Sequence, residues 1–104
     1  MSKVDIDGFV EKKLLGILEE MEAQKSLSTS YPEDGLSFEE EVQQIREYIE
    51  DAGEYSIAYE VIVANLEQIP FLLTGSSAVA LLEVGLVMKY KTDREEDLFL
   101  DSRE

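Results

Sequence analysis

The stretch from Ile69 to Tyr90 sets the terms for the whole fold. Between Ala78 and Met88, Glu83 is the only charged residue in an otherwise apolar run. A helix that is hydrophobic all round must be buried on all sides, so a central helix over about residues 76–89 is expected, with the rest of the chain packed around it. The same run is nearly long enough to span a bilayer. Pro70, Thr74, Gly75, Ser76, Ser77 and Glu83 interrupt it, however, and the uninterrupted pieces fall well short of the about 18 apolar residues that a membrane helix needs. A soluble chain with no membrane partner is therefore expected.

The length of 104 residues suits one domain, 1–104, with a single core. The chain contains neither cysteine nor histidine. That removes disulfides, thiolate and imidazole metal ligands, cysteine nucleophiles and triads of the Ser-His-Asp kind. No enzyme activity, no metal and no cofactor are expected. The first residues, Met1-Ser2-Lys3-Val4-Asp5, turn acidic where an export signal would turn apolar, so a cytoplasmic location is expected.

Charge is the strongest compositional fact, with a net −15 that is unevenly spread. Residues 26–60 carry ten acids against one base, whereas residues 61–91 carry two of each. A further six acids and two bases fall in residues 92–104. Such a field repels nucleic acid and anionic lipid, and it attracts basic partners. It also serves solubility in its own right.

Val4, Ile6, Phe9, Val10, Leu14, Ile17, Leu18 and Met21 recur at three- and four-residue steps, which predicts an amphipathic helix over roughly residues 4–24. Asp5 and Asp7 fall at its positive end, where acids are favoured. Asp5-Ile6-Asp7-Gly8 is no calcium loop, because the glycine comes early and no further ligands follow at the right spacing. Ser26 to Leu36 then reads as a connection, with Asp34-Gly35 as a tight turn.

Ser37-Phe38-Glu39-Glu40 is a capping box, in which the serine oxygen and the Glu40 side chain each serve the other's backbone amide. The helix it opens has Phe38, Val42, Ile45, Ile49 and Ala52 on one face and a row of acids on the other, with Arg46 its only base. Like charges three and four apart weaken a helix, so this face is not arranged for stability and is the best candidate for a binding surface. Gly53 ends the helix by supplying the left-handed conformation. A third helix follows to about Glu67, with Tyr55, Ala58, Tyr59, Ile62, Leu66 and Ile69 inward and Ile57 and Val61 widening the stripe. So short a connection makes the second and third helices an antiparallel hairpin.

Pro70 stops the third helix, and Thr74 or Ser76 caps the apolar one. Thr74-Gly75-Ser76-Ser77 lacks the lysine and the glycine pattern of a phosphate loop. Glu83 is expected either to reach solvent or to pair with a base such as Lys12, Lys13 or Arg46. Thr92-Asp93-Arg94-Glu95 forms a second capping box, which predicts a separate short C-terminal helix whose Leu98, Phe99 and Leu100 dock on the bundle. The expected fold is thus all-α: a small bundle of four main helices around the buried apolar helix, plus the short terminal one.

Two stretches carry a resemblance: Ile45-Arg46-Glu47-Tyr48-Ile49-Glu50 through Gly53-Glu54-Tyr55 to Ala58-Tyr59-Glu60, and Leu81-Leu82-Glu83-Val84 followed by Lys91 to Glu96. Over roughly residues 40–97 the chain resembles small immunity proteins of the MafI type, which protect bacteria from their own polymorphic or contact-dependent toxins. The resemblance implies a cognate toxin C-terminal domain as partner, expected to be a basic nuclease, and no small-molecule substrate. On the helix hairpin, Glu47, Glu50, Asp51 and Glu54 would supply charge complementarity, with Tyr48, Tyr55 and Tyr59 as packing anchors. Tyrosines at such a turn also serve as rim packing of a core. An acidic adaptor or a DNA-mimic regulatory protein shares the acidity. An acyl carrier does not fit, since the one Asp-Ser pair, Asp101-Ser102, sits at the C-terminus and is followed by Arg103.

Overall fold

A computed structural model describes the backbone of residues 6–103 and the side-chain surroundings of residues 6–89. The chain is an all-α bundle. Four helices, α1 (Ile6–Glu22), α2 (Phe38–Glu50), α3 (Tyr55–Gln68) and α4 (Gly75–Arg103), are joined by a 3-10 segment at Lys25–Ser30 and two short connections. No strand occurs among the described residues.

The core is drawn from all four helices. Val10, Leu14, Ile17, Leu18 and Met21 of α1 meet Phe38, Val42, Ile45 and Ile49 of α2, Ala58 and Ile62 of α3, and Ala80 and Val84 of α4. In α2 these are the residues of the predicted stripe, except that Ala52 lies beyond the helix and is exposed. The Ser37 capping box forms as expected: the Glu40 amide donates to Ser37 Oγ at 3.2 Å and the Ser37 amide to Glu40 Oε1 at 2.9 Å. Gly53 has a φ of 62°, and the Glu54 amide returns to the Tyr48 carbonyl at 2.8 Å, which turns the chain into α3.

Three expectations change. The central element is α1, which packs against each of the other three helices, and not the apolar α4. Five α1 side chains are at most 1% exposed, whereas α4, among its residues with described side chains, buries only the strip Ser77, Ala80 and Val84 and leaves Val79, Leu82 and Leu86 open. The physical reason is one of layers: α4 lies chiefly on α1, with α3 along one flank, and no other described helix packs closely on its outer side. Next, no separate terminal helix forms, since α4 runs unbroken through Thr92. Lys89-Tyr90-Lys91 contains no breaker, so the ladder continues and the second capping box never becomes an end. The docking expected of Leu98, Phe99 and Leu100, like the place of Val4, lies outside the residues whose side chains are described. Finally, Ile6, Phe9 and Ile57 fall on the outer edges of their stripes and are exposed.

Tertiary hydrogen bonds hold the α3–α4 connection. Ile69, the residue before Pro70, is extended (φ −119°, ψ 135°), as a pre-proline position prefers. Just beyond α1, the Gln24 side chain donates from Nε2 to the Leu72 carbonyl at 2.7 Å and accepts at Oε1 from the Leu72 amide at 2.8 Å. Thr74 is the N-cap of α4, its hydroxyl accepting from the Ser77 amide at 3.2 Å. Glu20 of α1 caps the cap: it accepts from the Thr74 amide (3.0 Å), the Thr74 hydroxyl (2.8 Å) and the Ser77 hydroxyl.

Candidate functional site

The acidic face of α2 is built by its periodicity. With Phe38, Val42, Ile45 and Ile49 inward, Glu39, Glu40, Gln43, Glu47 and Glu50 are left exposed. Two features keep this face negative. Arg46 is turned towards α1, where it pairs with Glu22 and reaches Glu50 only at 3.9 Å. The last turn of α2 contains no base, so Glu47, Glu50 and the following Asp51 crowd the negative end of the helix dipole, a placement that costs a few tenths of a kcal/mol or more per charge. Glu54 follows as the N-cap residue of α3, exposed and making no side-chain cap bond.

The four predicted acids therefore gather at the α2–α3 turn. The three tyrosines divide. All are half-buried against the core. Tyr48 shares the flank of α2 that carries Glu41 and Gln44, the side turned to α3. Tyr55 donates to Glu11 Oε1 of α1 at 3.1 Å, and the Tyr59 phenol lies over Gly85 of α4. The phenol ends of Tyr55 and Tyr59 thus point away from the acids of α2. Glu83 pairs with Lys13 at 3.5 Å, one of the two options left open for it.

A cleft of about 440 Å³ lies between α2, α3 and the 31–36 loop, and sequence reasoning missed it. Its wall is a half-buried network in which the Tyr31 hydroxyl donates to Asn65 Oδ1, and Asn65 Nδ2 donates to Glu41 Oε1 (3.1 Å) and to the Val61 carbonyl (2.8 Å). Burial, with the Glu41 charge second, pushes the Tyr31 phenol up to about 12. The Tyr31 hydroxyl, by its bond to Asn65, fastens the loop to α3, helped by edge-on packing on Phe38 at 5.8 Å. The legible signal was Asn65 itself, a polar residue in step with Ala58, Ile62 and Ile69.

A shallower hollow of about 370 Å³ runs along the outer face of α2, between Leu36 and Glu47. Leu36 and Gln44 line both depressions, so an exposed leucine stands between two hollows edged by Glu39, Glu40, Glu41, Glu47 and Glu60. Such a surface suits side chains with an aliphatic stem and a cationic head. Among the described residues no group of three or more acids converges closely enough to hold a metal ion, and no helix is long and apolar enough to cross a membrane. No family model, curated protein or solved structure matches this chain.

Proposed function

We propose that this chain is an immunity protein, a stoichiometric inhibitor that binds a cognate bacterial toxin domain through the acidic α2–α3 edge. The observation that carries this reading is the uncompensated charge of α2. Ten acids and one base occupy residues 26–60, and that base, Arg46, is engaged with Glu22. Acids placed at the negative end of a helix work against the fold, so a use outside the fold accounts for them better than stability does. A nuclease presents a basic cleft shaped for phosphates; an acidic face is steered to it and covers it. The MafI-type resemblance over roughly residues 40–97 points the same way.

The test is to sequence the neighbouring gene and use as probe any toxin C-terminal domain that it encodes. Glu47→Lys, Glu50→Lys and Asp51→Lys together are expected to weaken binding by about 100-fold and to flatten its salt dependence, because rim and interface charges govern both. All three positions are exposed, so circular dichroism should show the fold unchanged. Unaltered affinity and salt slope would remove the site assignment. Capture of a DNA-handling host protein in place of the toxin domain would move the reading to a DNA mimic.

A further inference from the structure

We infer that the outer face of α4 is a homodimer contact, closed by a second copy of this chain lying antiparallel across it. Val79, Leu82 and Leu86 are 54%, 69% and 68% exposed, and they follow one another at steps of three and four, so they form a single apolar seam two turns long. Large apolar side chains scattered singly on a surface need no explanation, but a contiguous row on one helix face marks an interaction site.

Charge decides the occupant. In a chain of net −15, the seam lies in the near-neutral part: between Ile69 and Lys89 the charged residues are Glu83, engaged by Lys13 at 3.5 Å, and Lys89 itself. A basic partner is drawn to the α2–α3 edge and has nothing to gain here. A second copy, repelled from the acidic α2–α3 edge, meets the least like charge along residues 69–89 of this face. Geometry permits it to close. A two-fold axis crossing α4 at residue 84 sets Leu82 of each copy against Leu86 of the other, and Val79 against the exposed Lys89, whose aliphatic stem can cover the valine while its ammonium stays in water. Such a contact is isologous and does not propagate into filaments. Two turns of helix face give an interface at or below the low end of the specific range, about 1,200 Å² in total, so the dimer is concentration-dependent and not permanent.

Salt supplies the diagnostic sign. Binding of a basic partner to the acidic edge weakens as salt rises, whereas two like-charged copies associate more tightly once their repulsion is screened. The experiment is analytical ultracentrifugation of the full chain from micromolar concentrations to about 1 mM, at about 0.05 M and about 0.5 M NaCl. A monomer–dimer equilibrium is expected whose dissociation constant falls at least about tenfold with the added salt. Leu82→Gln with Leu86→Gln keeps the net charge, replaces exposed side chains with good helix formers, and should hold the chain monomeric at both salts with its circular dichroism unchanged. Glu47→Lys with Glu50→Lys, on the other face, should tighten the dimer. A chain that stays monomeric throughout overturns the inference. So does a dimer that ignores the glutamine pair, or one that salt dissociates. None of these outcomes depends on whether a toxin domain binds.

Discussion

At the residue scale, the Tyr59 phenol over Gly85 is a contact expected to reverse a general rule. Glycine inside a helix is about 1 kcal/mol less favourable than alanine, so replacing it normally stabilises. At Gly16 of α1 nothing lies within 4 Å of where a Cβ would stand, and Gly16→Ala should add about 1 kcal/mol. At Gly85 the added Cβ would stand 2.6 Å from the Tyr59 hydroxyl oxygen, and overpacking of this kind costs about 1–3 kcal/mol. Gly85→Ala should therefore destabilise the native chain by about 1 kcal/mol, the overpacking outweighing the helix gain. In a Tyr59→Phe background the nearest atom retreats to 3.4 Å, and the same substitution should then stabilise. Urea unfolding of the four variants measures this coupling, and simple additivity would mean that the phenol moves aside freely. Glycine's tolerance of close approach is visible in a sequence, but the neighbour that requires it is not. Asn65 is the complementary case: its polarity on an apolar stripe was legible, whereas its partners, Tyr31 and Glu41, are set by tertiary packing.

At the scale of elements, the position of α4 depends on α1 as much as on its own sequence. Thr74 as N-cap was one of two local candidates, but the carboxylate that organises it comes from Glu20, more than fifty positions earlier in the chain. Hydrogen bonds from Ser77 first, then from Thr74, hold the Glu20 carboxyl below its ordinary range. A carboxyl whose folded pKa is depressed contributes stability that is present above its unfolded value, near 4.3, and lost as pH falls through the folded one. The stability difference between the native chain and Glu20→Gln should thus be constant near neutrality and shrink steadily below about pH 4.5 in denaturant titrations. A difference independent of pH down to the acid transition would mean that the carboxylate charge plays no part in the cap. The same scale explains why the apolar run of α4 misled. Hydrophobicity all round a helix states a demand for burial on every side, yet α1, with α3 along one flank, meets only part of it, and Val79, Leu82 and Leu86 stay exposed.

For the whole molecule, the net charge of −15 governs behaviour in solution. Self-repulsion destabilises a compact acidic chain, and added salt relieves it. Raising NaCl from about 0.05 M to about 0.5 M should stabilise the fold by about 1 kcal/mol, or roughly 4–8 °C in Tm. The melt is best followed at micromolar concentration in the Leu82→Gln, Leu86→Gln background, where association cannot contribute. A Tm that falls with salt would mean that pairs such as Arg46 with Glu22 outweigh the repulsion.

Local chemistry alone determined the helical class, the Ser37 capping box, the Gly53 turn, the core stripe of α2 and the acidity of its outer face. Each depends on residues no more than a few positions apart, where propensity, capping and periodicity act. Only the tertiary structure decided that α1 is the centre, that α4 is covered on one side, and that Tyr31, Asn65 and Glu41 wall a cleft. It also turned the phenols of Tyr55 and Tyr59 from the acids that the sequence sets beside them. Those outcomes follow from which faces meet, and periodicity says which side of a helix seeks burial without saying what will cover it.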